Sequence, residues 1–139
     1  MKVLFDVNVV IDVLQRRPDF FDNSYAVLRL AAEDQIEGYV AAGSIADIYY
    51  ILRRAGLEPS EVRTALAQLI QIVELADTTA ADVNEALLSP MADVEDAVLA
   101  ACAKRLEATW IVTRNEDDFA ASPVPAISPA QFLSRGLVA

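Results

Sequence analysis

Short apolar runs recur along the chain, and a segment of helical character separates each from the next. KVLF (2–5), YVAA (39–42), IVELA (72–76), TWIVT (109–113) and a brief run within PAISP (125–129) read as strands. They are continuously apolar rather than alternating, which is the pattern of strands covered on both faces. The intervening segments 7–17, 23–35, 44–56, 59–71, 79–89 and 93–107 read as helices, and PAQFLSRG (129–136) as a closing one. Pro18 and Asp19 break the first; Asp22 or Asn23 is the expected cap of the second, with Tyr25, Leu28, Leu30 and Ala32 as its apolar positions. Ser44 is the expected cap of the third, Pro59 opens the fourth, and Gly56 and Gly136 stand just past helix ends. Thr79 and Asp82 have capping spacing. In IYYIL (48–52), Ile48, Tyr49, Ile51 and Leu52 are expected in the core. Strands alternating with helices predict an α/β fold: a three-layer α/β/α sandwich around a mainly parallel sheet of four to five strands. No linker, repeat or low-complexity segment interrupts it, so residues 1–139 are expected to form a single domain.

Such sheets form sites outside the carboxyl ends of their strands, and acids stand there. Asp6 follows the first strand, with Asn8 two places on. Asp47 lies one turn into the helix after the second. Asp93, Glu95 and Asp96 open the strong helix 93–107, and Asn115, Glu116, Asp117 and Asp118 follow the fourth strand. Gathered carboxylates repel and raise one another's pKa; a hard divalent cation removes that conflict. An oxygen-only donor set suits Mg²⁺ or Mn²⁺ rather than zinc. Each acid also has a capping role open to it. Asp6 is placed to cap the first helix, Ser44-x-x-Asp47 has capping-box spacing, and Asp93 and Asp96 suit a helix N-terminus. Asn115–Asp118 is equally readable as a solvated turn. Asp93 and Asp96 nevertheless share one helix face, which a cap alone does not require.

Composition narrows the chemistry. The chain has no histidine, which removes Ser-His-Asp and Cys-His catalysis and most catalytic zinc sites. The lone Cys102 cannot form an internal disulfide and reads as a small buried thiol. With no signal-peptide pattern and no apolar run long enough for a membrane span, a cytoplasmic location is expected. The net charge of −10 argues against a simple nucleic-acid coat protein, though not against an enzyme that meets phosphate through a metal.

Four motifs in order resemble those of PIN domains, most closely the VapC-type toxins. LFDVNVVID is similar to the family's Asp-x-Asn after strand one, and SIADIYYIL stands where the family usually has glutamate. DVEDAVLAACA resembles the Asp-x-Glu-Asp-Ala form of one branch. IVTRNEDDF resembles Thr-Arg-Asn-x-x-Asp-Phe, and the ending VPAISPAQFL also fits that branch. The resemblance covers nearly the whole length. It implies an Mg²⁺- or Mn²⁺-dependent endoribonuclease, the toxin of a type II toxin–antitoxin pair. By position it implies Asp6, Asp47, Asp96 and Asp118 as catalytic acids, with Asp6, Asp96, Asp118 and Asp93 as metal ligands. Asn8, Thr113, Asn115 and Asp117 are implied as supporting groups.

The same resemblance implies an RNA substrate, an antitoxin protein partner and a homodimer. Candidate RNA contacts are Arg16, Arg17 and Arg114, with Arg53, Arg54, Lys104 and Arg105 as further cations for the border of the site, although any one pair reads more readily as a solvated helix end. A haloacid-dehalogenase-type phosphatase is disfavoured because Asn8 stands where a second aspartate is needed and no suitable lysine follows. A response-regulator receiver lacks its lysine in the same way. The competing class is a degenerate PIN fold serving as a non-catalytic binding or scaffold module, which Asp47 for glutamate and Asn115 for an acid favour.

Overall fold

The computed structural model describes residues 1–136; the last three residues of the expected 1–139 domain lie outside them. Five parallel strands form one sheet: β1 (Lys2–Phe5), β2 (Glu37–Ala41), β3 (Glu74–Ala76), β4 (Trp110–Val112) and β5 (Ala126–Ile127). Their order is β3-β2-β1-β4-β5, and all four pairings are parallel. The sheet of four to five mainly parallel strands is thus five strands, parallel throughout. Helices α1 (Val7–Leu14), α2 (Phe21–Ala32), α3 (Ser44–Arg54), α4 (Pro59–Leu69), α5 (Ala80–Leu87), α6 (Val94–Leu106) and α7 (Pro129–Ser134) cover its faces.

The pleat explains why β1 reads as a solid apolar run. Val3 and Phe5 point into one core with Val9, Val27, Val40, Ile48, Leu52 and Phe132. Leu4, between them, points into the other with Leu99, Cys102, Ile111 and Phe119. Cys102 is buried as expected, its thiol donating to the Asp77 carbonyl at 3.4 Å. On β2, Gly38 permits the close approach of α2. A Cβ there would lie 2.8 Å from both the Ala31 Cβ and the Phe5 ring.

Several local expectations change. α1 ends at Leu14 rather than running to residue 17, because Arg16 takes a left-handed conformation (φ 48°) before Pro18 is reached. α2 begins at Phe21 without a side-chain cap, and Asp22 sits inside its first turn, so neither Asp22 nor Asn23 caps it. Its buried residues are Ser24, Val27, Leu28 and Ala31: Leu28 is buried as expected, but Leu30 is only half-buried, and Tyr25 and Ala32 are exposed. In α3, Ile48 and Leu52 are fully buried, Tyr49 and Ile51 only partly, and Tyr50 is exposed. Helix stops behave as the sequence suggests: Gly56 and Gly136 adopt positive φ (99° and 57°) just past α3 and α7. Thr79 and Asp82 form the expected capping box on α5, Thr79 accepting from the Asp82 N–H at 3.1 Å and Asp82 from the Thr79 N–H at 3.0 Å.

Candidate active site

β1 and β4 are neighbours, with Phe5 opposite Val112. The residues that follow them, Asp6 and Thr113, therefore emerge side by side at the carboxyl edge of the sheet. The Asp6 N–H donates to the Val112 carbonyl at 2.9 Å and locks the pair in place. One Asp6 oxygen caps α1, accepting from the Val7 N–H at 2.8 Å. The other accepts from the Thr113 hydroxyl at 2.8 Å and from the Asn8 amide at 3.3 Å. The capping and site readings of Asp6 are thus served by different oxygens. Asn8 also donates to Thr113 Oγ1 (3.2 Å) and accepts from the Arg114 N–H (3.3 Å). Thr113 is fully buried.

The other acids arrive from separate elements. Asp93 caps α6, accepting from the Asp96 N–H at 2.9 Å. Asp96 receives that cap on its backbone, so its carboxylate is not used in capping. Asp118 lies in a short 3-10 turn, Glu116–Phe119, and is exposed. Burial pushes Asp96 from 3.8 up to about 6, with the charges of Asp93, Asp6, Asp118 and Glu95 adding to it. Asp6 is raised too: burial outweighs its Thr113 and Val7 hydrogen bonds, and Asp118 adds repulsion. Glu95 is raised by burial and then by Asp47, Asp93 and Asp6.

α3 does not begin as its sequence suggests. Ser44 is its first helical residue, and Gly43 precedes it without a side-chain cap. The Gly43 N–H is satisfied from a distance, by Thr78 Oγ1 at 3.0 Å. The Ser44-x-x-Asp47 capping box does not form, and Asp47 is left facing Glu95 across a cavity of about 180 Å³. Charge repulsion thus links Asp6, Asp93, Glu95, Asp96 and Asp118, with Asp47 joined to them only through Glu95. Yet among the described residues no three acid or thiol side chains converge tightly enough to form a ready-made metal site. Asn115 and Asp117 are exposed on the same turn. The Asn115 N–H donates to Thr113 Oγ1 at 3.1 Å, and Asp117 makes no side-chain hydrogen bond among the described residues.

The basic residues divide. Arg114 Nε and Nη2 grip Asp12 at 2.6 and 3.1 Å. Arg17 approaches the same carboxylate at 3.6 Å. Arg16 rests over the Phe21 ring. The others turn elsewhere: Arg53 donates to the Leu57 carbonyl, Lys104 pairs with Glu85, and Arg105 pairs with Asp82 and the Asp77 carbonyl. Lys104 and Arg105 therefore stitch α6 to α5 and do not border the acids. Two residues were not singled out for the site from the sequence. Glu95 was visible among the acids opening α6, but its facing of Asp47 depends on how α3 and α6 pack. Asp12 is an aspartate inside the apolar run VNVVIDVL, a signal that it is buried and paired.

No helix among the described residues is long and apolar enough to cross a membrane. No curated protein matches the chain in sequence. Solved structures share its fold. VapBC2 of Rickettsia felis, bound to a DNA fragment from its promoter, is 17% identical with a TM-score of 0.71, covering 92% of this chain and 98% of its own. FitAcB of Neisseria gonorrhoeae is 21% identical with a TM-score of 0.63, over 92% and 98% of the two chains. VapC20 of Mycobacterium tuberculosis, a toxin that cleaves the sarcin-ricin loop, is 15% identical with a TM-score of 0.62, over 78% and 86%. The PIN domain model matches residues 2–117, and the chain therefore belongs to the PIN domain family.

Proposed function

We propose that this protein is an Mg²⁺- or Mn²⁺-dependent endoribonuclease and the toxin of a toxin–antitoxin pair. One observation carries the reading: acids that follow β1, open α6 and lie on the 3-10 turn are gathered round Asp96, and their charges add to the burial that raises it to about 6. Like charges kept together in a fold signal an absent counter-charge. An oxygen-only donor set fits a hard divalent cation. The residues that would hold it are Asp6, Asp96 and Asp118, with Asp93 beside them. When bound, such a cation lowers the pKa of a water and offsets charge developing on the phosphate.

The chain's own groups do the rest. Thr113 and Asn8 fix the rotamer of Asp6, and the Asn115 N–H fixes Thr113 in turn. Asp47, free of any capping duty, accepts the proton of the attacking water. Asp117 contributes negative charge at the rim. RNA as substrate, an antitoxin partner and a homodimer rest on the family and on the toxin structures that share the fold; the exposed side chains of Tyr50, Leu87 and Leu88 suit an interface. A cytoplasmic location belongs to the same proposal.

The lack of a tight three-acid cluster among the described residues favours a second reading, a PIN fold that binds without cleaving. Purified protein incubated with a mixed RNA pool and Mg²⁺ or Mn²⁺ separates the two. Cleavage abolished both by EDTA and by Asp96→Asn is expected. No cleavage, together with no metal-induced rise in Tm, would favour the binding module.

A further inference from the structure

Beside the acids, but outside them, an open cavity of about 330 Å³ lies between the start of α2, the start of α7 and Arg114. Its size is that of a small-molecule site, about 300–1,000 Å³. Phe20, Pro129 and Ala130 give it apolar walls, and Asp19, Asn23 and Ser128 give it polar ones. Phe20 is 41% exposed although it is a large aromatic side chain. The Arg114 guanidinium carbon lies over its ring, 3.9 Å from the centroid.

That guanidinium is unusually well fixed. Asp12, with no exposure at all, holds two of its nitrogens and is itself held by the Ser24 hydroxyl at 3.1 Å. Because Asp12 offsets its charge, Arg114 is a weak attractor of a bare phosphate but a rigid planar surface. Planar, partly apolar surfaces of this kind receive unstacked bases. The cavity also connects to the acids: the Arg114 N–H bonds Asn8, which bonds Asp6. Arg16 and Arg17 add positive charge nearby, in a chain whose net charge is −10.

We infer that the Phe20–Arg114 cavity is a nucleobase subsite that receives an unpaired base of single-stranded RNA next to the cleaved bond. The inference rests on the ribonuclease reading for its substrate class. It adds that the base beside the cut is chosen here, by stacking on Phe20 and by the polar edges of Asn23 and Asp19, which make no side-chain hydrogen bonds among the described residues.

The test uses the full chain and short single-stranded RNA oligonucleotides of each base. Binding is read by fluorescence anisotropy in EDTA, and cut sites are mapped separately by sequencing in Mg²⁺. Phe20→Ala is expected to weaken binding roughly 5- to 100-fold, the range of one lost base stack, and to flatten the base preference beside the cut. Phe20→Leu keeps the apolar bulk without the ring face and is expected to resemble Phe20→Ala, while Phe20→Tyr retains binding. Circular dichroism confirms that each variant is folded. Cleavage with unchanged binding and cut-site preference in Phe20→Ala overturns the subsite and leaves the nuclease reading standing. Phe20-dependent binding without cleavage by the wild type supports the subsite and counts against the nuclease. If wild type binds none of the oligonucleotides, the inference fails.

Discussion

Replacing Asp96 with asparagine is expected to stabilise the metal-free protein. Its raised pKa, from 3.8 to about 6, means the fold holds the protonated form more tightly than the unfolded chain does. At about 1.4 kcal/mol per pKa unit, the penalty on the ionised form is at most about 3 kcal/mol. Asp96 is only half-buried, so water screens much of this. Its charge also favours the positive start of α6, a contribution of about 0.3–1 kcal/mol that asparagine loses. The net gain is about 1 kcal/mol, or roughly 3–5 °C in Tm for a chain of this length. The pH dependence fixes the sign. A raised folded-state pKa gives a stability contribution that is complete below about 3.8 and lost as pH rises through about 6. Asp96→Asn should therefore match or fall below the wild type near pH 4 and exceed it near pH 7. Thermal melts in EDTA across that range measure the gap. Adding Mg²⁺ should then raise the wild type and leave Asp96→Asn unmoved. A variant less stable than wild type at neutral pH in EDTA would refute the argument that burial and neighbouring charges penalise the ionised form. Asp6→Asn is a poorer probe, because the Asp6 oxygens accept from Val7, Asn8 and Thr113, and an amide group facing Asn8 and Thr113 would break that arrangement.

Three further outcomes follow from particular contacts. Arg114→Ala strands the fully buried Asp12 carboxylate and should cost about 2–4 kcal/mol in urea unfolding, somewhat below a fully unpaired buried charge because Arg17 and Ser24 remain. Gly38→Ala forces a methyl to within 2.8 Å of Ala31 and Phe5 and should cost about 1–3 kcal/mol by the same measurement. Asp47→Asn removes no cap and should leave metal-free stability within about 0.5 kcal/mol; in the cleavage assay it should slow the wild-type reaction about 10²–10⁴-fold, the usual worth of a lost general base.

The alternation of apolar runs and helical segments was enough to place every strand and helix within a few residues. That is because strands buried on both faces and helices with stop signals leave local marks: KVLF, WIV, Gly56 and Gly136 carry them in their own side chains or in the lack of one. The acids at strand ends were legible for the same reason. What each acid does was not. Ser44 and Asp47 spell a capping box, but the cap position falls on Gly43, whose N–H goes to Thr78, thirty-five residues away, and the box does not form. Asp6 and Thr113, 107 residues apart, meet only because β1 and β4 are neighbours. Arg114 and Asp12 pair over 102 residues, and Phe20 joins them only once α2 has packed. Local sequence dictates backbone conformation through short-range sterics and capping. Which charge meets which partner is decided by strand order and helix packing, and so it exists only in the folded chain.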